Sequence, residues 1–249
     1  MLNATELPFD FGIHAKKLKD IAKKMLPTVS KEAIRGCLQS MQITRKGNLI
    51  TAYSTDAHRL SEFTIESQGA DYNVLIHRDY IKELKKTGEL AGYKVGEEDD
   101  KTGSYPDCSR LIPYFPDTVT IIDAKQLIKD IGYNRLKQHT VVKLDLAKHD
   151  ISLTSLNSDP RKCDYYTVVK ADLDVSITKE QLAQYYSSDL WVTDQIAFNI
   201  NYFLDALKAI GSDTIQVSTN FHTPIGLKRF KNPEDKEFSV YLMPAQLRK

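Results

Sequence analysis

The sequence has little cysteine and no long apolar run. Its three cysteines, Cys37, Cys108 and Cys163, are widely spaced and form no CxxC pair, which argues against a disulfide framework and against a zinc site. No apolar stretch approaches the roughly 20 residues needed to cross a bilayer. The N-terminus also lacks the basic and then apolar pattern of a signal peptide. These absences predict a cytoplasmic protein that has no metal site and does not bind a membrane.

Common catalytic and cofactor motifs are absent as well. There is no P-loop, no GxGxxG, no HExxH and no paired-carboxylate arrangement, so we predict no cofactor. One segment suits an alternative interpretation, a small hydrolase that uses His58 and Asp56 with Ser54 as nucleophile. Nucleophilic catalysis needs a base within hydrogen-bond reach and an oxyanion hole, and no strand–turn–helix elbow surrounds this segment. We therefore favour a tight turn after a strand and predict that the chain is not an enzyme.

Charge is nearly balanced but unevenly placed. With 34 basic and 33 acidic residues the net charge is +1, which excludes a protein that is basic over its whole surface. Lysines crowd residues 16–24, whereas residues 97–100 form an acidic block. Because nucleic-acid binding depends on where the basic residues lie, this balance leaves such binding open.

The order of predicted elements occurs twice. Apolar residues recur at helical spacing in four segments, and these are residues 15–26, 78–87, 124–136 and 201–210. A β-rich stretch follows the first helix of each half. The pattern predicts an α+β fold of two duplicated domains, each with two helices packed on antiparallel sheet. We place the domains at 1–116 and 117–249, joined by a proline-rich, extended connector.

Four motifs then occur in a recognisable order. Thr55–Leu60 reads Thr-Asp-Ala-His-Arg-Leu, and the connector has Tyr105-Pro106-Asp107 followed by Arg110-Leu111. Phe198–Leu207 is a strand-to-helix entry, and the tail Val240–Leu247 ends in Met-Pro-Ala-Gln-Leu. Together they resemble the DNA polymerase III beta subunit, the bacterial sliding clamp. The resemblance covers nearly the whole chain but only two of the family's three domains, the middle and the C-terminal one.

The resemblance implies a pocket for peptides of partner proteins. Carried over position by position, its residues are Leu38, Thr55, Ala57, His58, Arg59, Leu60, Pro106, Arg110, Leu111, Asn199, Tyr202, His222, Pro224, Tyr241, Leu242, Met243, Pro244, Ala245, Gln246 and Leu247. Aliphatic side chains, a tyrosine and a polarizable methionine suit an extended peptide that carries Leu or Phe. Ala57 stands where the family has glycine, so a positive φ there would be strained. Ala245-Gln246 replaces the usual Met-Arg.

The resemblance also implies helices that face DNA. The basic residues on or near them are Lys16, Lys19, Lys23, Lys31, Arg35, Arg78, Lys82, Lys85, Lys125, Lys129 and Lys208. Such side chains meet phosphates of double-stranded DNA without reading bases. An ordinary solvated helix face is the alternative for each residue taken singly.

The implied function is a replication processivity factor. A closed ring would encircle the duplex, and the pocket would hold a DNA polymerase or a clamp loader through short linear motifs. Family rings contain six domains, so a two-domain chain favours a homotrimer over a homodimer. Head-to-tail pairing of edge strands, with residues 163–170 against an edge of the first half, would close it. A decoy or truncated clamp that binds clamp partners without encircling DNA is the alternative.

Overall fold

The computed structural model describes residues 11–89, 104–115, 117–121, 123–134, 141–145, 150–154, 166–169, 173–175, 195–219 and 226–245. The chain divides into two compact units. The first comprises residues 1–110 together with Lys236–Ser239, and the second comprises residues 111–235 together with Val240–Lys249. In the described parts, no helix is long and apolar enough to span a bilayer.

Four α-helices and thirteen strands are found among the described residues. The helices are α1 (Ala15–Met25), α2 (Arg78–Thr87), α3 (Ala124–Asn134) and α4 (Ile200–Ile210). The strands are β1 (Ser40–Lys46), β2 (Leu49–Thr55), β3 (Arg59–Glu66), β4 (Tyr72–His77), β5 (Asp117–Ile121), β6 (Val141–Asp145), β7 (Asp150–Thr154), β8 (Tyr166–Val169), β9 (Leu173–Val175), β10 (Gln195–Asn199), β11 (Ile215–Thr219), β12 (Lys228–Lys231) and β13 (Phe238–Leu242). Short 3-10 helices cover Leu26–Thr28, Ala33–Gln39 and Cys108–Leu111.

In the first unit, two helices pack on one antiparallel sheet. The strand order is β4–β1–β2–β3. Helices α1 and α2 lie side by side and bury Leu18, Ile21, Ile81 and Leu84. The two named residues of each helix are three positions apart, so one face of each helix packs inward.

A buried arginine fixes the entry of the chain into α1. The Arg45 side chain is only 4% exposed, and its Nη2 donates to the Phe11 carbonyl at 2.9 Å and to Ser67 Oγ at 3.0 Å. The Tyr72 hydroxyl donates to the same carbonyl at 3.0 Å. Because these donors hold residue 11 on the sheet, the residues just before α1 have a defined position.

Residues from the far end of the sequence complete the first unit. The Thr64 N–H donates to the Glu237 carbonyl at 2.7 Å, and Phe238 is buried. Lys17 forms an ion pair with Glu237. The Lys24 ammonium lies 5.1 Å from the centre of the Phe238 ring. Residues 236–239 therefore pack as an integral part of this unit.

The second unit has two sheets and two helices. One sheet contains β9–β5–β11–β12 and the other contains β10–β6–β7–β8, paired antiparallel. Helices α3 and α4 are in contact. Phe198, Phe203 and Phe230 form an aromatic core cluster with ring centres 5.2–6.0 Å apart. Asn199 caps the start of α4, and Gly211 ends it in the left-handed conformation.

The α+β prediction and the four helical segments are confirmed, with two local differences. The first helix ends at Met25 and Pro27 lies in the following 3-10 turn; the last two residues of the predicted third helix lie outside the described residues. The prediction of a wholly extended connector is wrong, because Cys108–Leu111 forms a 3-10 turn. Cys108 in this turn is buried.

Candidate nucleic-acid and peptide-binding sites

A basic groove lies between α1 and α2. It has a volume of about 510 Å³ and is lined by His14, Lys16, Lys17, Lys19, Asp20, Lys23 and Lys85. Five of the seven lining residues are lysines, and the one carboxylate, Asp20, forms an ion pair with Lys24 at 3.3 Å. The groove therefore presents excess positive charge, which suits a phosphate-bearing partner.

The groove contains four of the sequence-predicted DNA-facing residues. Lys16, Lys19 and Lys23 come from α1 and Lys85 from α2. They converge because residues three and four apart share one helix face and because α1 and α2 pack side by side. Lys17 and His14 also line the groove.

The remaining predicted basic residues have varied surroundings. Lys31, Lys129 and Lys208 are exposed. Lys82 pairs with Asp79 at 2.7 Å and Lys125 with Asp213 at 2.8 Å, so part of their charge is neutralised. Arg35 belongs to the 3-10 helix Ala33–Gln39, and its side chain lies outside the described residues.

Arg78 has a structural role that the sequence did not indicate. Its Nη1 donates to the carbonyls of Leu26 and Val29, beyond the end of α1. Burial, the main cause, lowers the pKa of the guanidinium from its ordinary value. Because its guanidinium is already hydrogen-bonded to these carbonyls, we leave Arg78 out of the proposed DNA-facing set.

The Thr55–Leu60 segment is a tight turn between β2 and β3. Asp56 Oδ1 accepts from the N–H groups of His58 and Arg59 at 3.1 Å each. Thr55 Oγ1 accepts from the Ala57 N–H at 3.2 Å and donates to the Arg59 carbonyl at 2.8 Å. Ala57 has φ of +74°, so the expected strain at this alanine is present. The Ala57 and His58 side chains at the tip are exposed.

The same geometry opposes the hydrolase alternative. Ser54 is fully buried, and its Oγ donates to the Met25 carbonyl at 3.0 Å and contacts Thr28 Oγ1. Asp56 is bound by Arg59, whose Nε lies 2.9 Å from Asp56 Oδ2. A nucleophile must be accessible and must face a base. The hydroxyl of Ser54 is buried and faces the Met25 carbonyl and Thr28.

Arg59, a predicted pocket residue, forms its contacts within the first unit. The residue is 8% exposed, and besides Asp56 its guanidinium donates from Nη2 to the Pro27 carbonyl at 2.6 Å. It therefore joins the turn to the segment after α1. Leu38 and Leu60, at 6% and 2% exposed, are core residues of the first unit and leave little surface for a peptide.

In the second unit, the residues that follow the tail strand β13 reach β10. The Ala245 N–H donates to the Ala197 carbonyl at 2.7 Å. Tyr241 and Leu242 are buried, whereas Met243 is 41% exposed. Pro244 and Ala245 are half-buried. The tail thus keeps its apolar strand in the core and exposes the methionine beyond it.

Two neighbouring predicted residues start α4. The side chain of Asn199 accepts from the N–H of Asn201 at 2.9 Å and of Tyr202 at 3.4 Å. Tyr202 is half-buried in the first helical turn. Because β10 runs directly into α4, the tail and these two residues belong to the same side of the second unit.

The connector is anchored at one end and exposed at the other. The Tyr105 hydroxyl donates to the Tyr53 carbonyl at 3.1 Å, and Pro106 is half-buried. Arg110 is exposed and its Nε lies 2.9 Å from Asp107 Oδ2. Leu111 and Tyr114 follow at 52% and 81% exposed. Four predicted pocket residues, His222, Pro224, Gln246 and Leu247, lie outside the described residues.

Comparison with known proteins identifies the family. The family model described as "DNA polymerase III beta subunit, C-terminal domain" matches residues 109–246, which is more than half of the chain. The chain belongs to the DNA polymerase III beta subunit family. Sliding clamps of this family are processivity factors without catalytic activity of their own.

Curated and solved relatives agree with this assignment. The beta sliding clamps of Haemophilus influenzae and Bacillus subtilis are 21% and 24% identical over 96% and 98% of this chain. The chain spans 66% and 65% of their length. The solved beta subunit of Pseudomonas aeruginosa has a TM-score of 0.73 at 18% identity, over 99% of this chain and 69% of that one. The beta subunit of Thermotoga maritima has a TM-score of 0.72 at 16% identity, over 100% and 68%. At these identities the solved structures show the shared fold.

Sequence reasoning missed His14 in the groove. The signal was its place directly before the first helical residue, where a side-chain acceptor caps the helix. Histidine is not among the preferred capping residues, so its residue type gives only a weak signal at this position.

Proposed function

We propose that this beta-subunit homologue is a sliding clamp that encircles double-stranded DNA and tethers a DNA polymerase. The observation that carries the proposal is the groove between α1 and α2, which is lined by five lysines. The chain that forms this groove belongs to the beta-subunit family. Lysine ammonium groups bind phosphate as point charges and carry no base specificity. Attraction of this kind holds a protein on DNA at any sequence and permits sliding.

Neighbouring lysines on α2 provide a matched test of the DNA proposal. Lys85 lines the groove, whereas Lys86 is exposed on the same helix and is not among the lining residues. We expect Lys85→Ala to weaken binding to a fluorescent duplex and to lower the salt slope by about 0.9 per lost phosphate contact. Lys86→Ala should change both quantities less. Equal effects of the two variants would contradict the groove as the DNA-facing surface.

We further propose that the exposed end of the tail strand binds partner peptides. Met243 is exposed beyond a buried strand, and the half-buried side chains of Pro244 and Ala245 adjoin it. A polarizable thioether adapts to leucine and phenylalanine side chains of different shape. The turn residues Thr55, Ala57 and His58 and the connector residues Pro106, Arg110 and Leu111 remain predicted peptide-binding residues.

The peptide proposal is tested with a labelled clamp-binding peptide from a bacterial replicative polymerase. Met243→Ala should weaken peptide binding about fivefold or more while the free energy of unfolding changes little, because the side chain is exposed. Leu49→Ala removes a similarly exposed aliphatic side chain, 44% exposed, from β2 and should leave peptide affinity unchanged. Wild-type affinity in the Met243 variant would remove this residue from the site.

For assembly we propose a homotrimer that closes head to tail. In their sheets β4 and β8 lie at edges among the described strands, and unpaired edge strands readily pair with another chain. Light scattering should give three times the 28.3 kDa chain mass. A monomer at all concentrations would contradict the ring.

The second candidate is a decoy clamp that binds clamp partners without encircling DNA. The observation that favours it is length, because the chain spans only about two thirds of its curated relatives. A decoy retains peptide binding, stays monomeric and does not increase polymerase processivity. A processivity assay on a primed circular template, with mass measured on the same sample, separates the two functions.

A further inference from the structure

Histidines cap both helices of the first unit. The His14 side chain accepts from the Lys16 N–H through Nδ1 at 3.3 Å, and the His77 side chain accepts from the Asp79 N–H through Nδ1 at 3.4 Å. An unbonded N–H at a helix start needs such an acceptor. The two residues therefore share one local role, but only His14 lines the basic groove.

The cap fixes the tautomer of His14. A neutral imidazole has one donor and one acceptor nitrogen, and the hydrogen bond at one nitrogen sets the state of the other. Because Nδ1 accepts, the proton is on Nε2. Within the described part of the chain, no residue accepts a hydrogen bond from His14 Nε2, and the side chain is bonded through Nδ1. The imidazole thus brings an N–H donor into the groove.

The groups around His14 suit an anionic acceptor. On α1 the lining residues are Lys16, Lys17, Lys19, Asp20 and Lys23, and on α2 the lining residue is Lys85. Lys17 is paired with Glu237 and Asp20 with Lys24. The other lysines attract phosphate as point charges on flexible stems, so an N–H donor on a capped imidazole adds a more directional contact to a phosphate oxygen.

We propose that His14 contacts the DNA backbone, donating a hydrogen bond from Nε2 to a phosphate oxygen of a duplex held in this groove. The proposal rests on the DNA-binding function proposed above. It assigns the residue two simultaneous roles, a helix cap through Nδ1 and a phosphate donor through Nε2. A neutral donor adds affinity without releasing a counterion, so its removal lowers affinity and leaves the salt slope unchanged.

His14→Asn separates the two roles. Asparagine is among the best capping residues, so α1 stays capped, but its short amide ends before the Nε2 position. We expect duplex affinity to fall about three- to tenfold, the size of one typical net hydrogen bond. The slope of log affinity against log salt should match that of the wild type, and so should the thermal unfolding midpoint.

His77→Asn is the matched control, because it makes the same exchange at the cap of α2, outside the groove lining. It should bind duplex like the wild type. Wild-type affinity in His14→Asn, or an equal loss in His77→Asn, would overturn the histidine proposal. Lys85→Ala, measured in parallel, keeps the two proposals apart: if it loses affinity while His14→Asn does not, the groove binds DNA without the histidine. If the wild type itself does not bind duplex, both proposals fail.

Discussion

Phe115 of the connector stacks on Tyr241 of the tail strand. Their ring centres are 6.1 Å apart with an interplanar angle of 27°, and the Arg229 guanidinium lies 5.3 Å from the centre of the Phe115 ring. The three side chains come from the connector, β12 and β13. This contact joins the start of the second unit to the strand that precedes Met243.

A double-mutant cycle measures this contact. Phe115→Leu and Tyr241→Leu each keep an apolar side chain but remove the stacking geometry. We expect a coupling free energy of about 0.5–1.5 kcal/mol between them in urea unfolding, the range for aromatic pairs. Additive single effects would show that the two rings contribute only by their separate burial.

The Ala57 turn should be stabilised by glycine. A left-handed conformation costs an L-residue about 1–2 kcal/mol, and glycine avoids this cost. Part of the gain in stability is lost because glycine makes the unfolded chain more flexible. We expect Ala57→Gly to raise the free energy of unfolding by about 0.5–1 kcal/mol. Ala70→Gly is the control, because Ala70 is exposed and has no positive φ; this variant should be slightly less stable than the wild type. Destabilisation of both variants would show that Ala57 is not strained.

Alkaline pH should destabilise the first unit. Burial is the main cause that raises the pKa of the Tyr105 phenol and of the Tyr53 phenol, the latter further raised by Glu62. Their stabilising effect is complete below the ordinary tyrosine pKa of about 10. It is lost as the pH rises towards the higher folded-state values, because the unfolded chain ionises first. Tyr105→Phe should therefore flatten the fall in unfolding free energy above pH 10. An unchanged fall would exclude Tyr105 as a cause.

Tyr105→Phe should also cost stability at neutral pH. The variant leaves the Tyr53 carbonyl without the hydroxyl that donates to it at 3.1 Å, a loss of about 1 kcal/mol. The two effects have opposite signs in alkali, so unfolding curves at pH 7 and above pH 10 distinguish them.

Thiol reactivity should differ between two cysteines of the first unit. Burial first, then Asp107 and Glu62, raises the pKa of the Cys108 thiol to about 12, so almost no thiolate forms at pH 8. Cys37 is half-buried. In a Cys163→Ser background, alkylation followed by mass spectrometry should modify Cys37 well before Cys108. Modification of Cys108 at the same rate as Cys37 would contradict the buried placement.

The spacing of apolar residues predicted the helices, but it did not predict which groups the long side chains of the candidate sites contact. The apolar residues in 15–26 are three and four positions apart, and this spacing indicates a helix because it places them on one face. Arg59 and Arg78 looked like surface cations. Their guanidinium groups instead bind carbonyls near the end of α1. Contacts of this kind join residues far apart in the sequence, so the residues next to each arginine do not indicate them.

Two further residues show the same difference between what local sequence predicts and what packing decides. The strain at Ala57 was predictable from its place in a turn that has glycine in the family, and the structure has φ of +74° there. The position of His14 before α1 was a local signal for a helix cap, but its place in the groove depends on how α1 and α2 pack. Local conformation follows from local sequence, whereas the lining of a groove follows from packing.

The residues 236–239 that complete the first unit have a consequence for biosynthesis. The ribosome releases residues 1–110 long before the segment that pairs with Thr64 and buries Phe238. At about 5–20 residues per second, that segment emerges roughly 10 s later. Until then β3 lacks its bond to Glu237, and the nascent first unit stays incomplete. The first unit is therefore completed only after residues 236–239 have been synthesised, and its order of assembly departs from simple N-to-C domain folding.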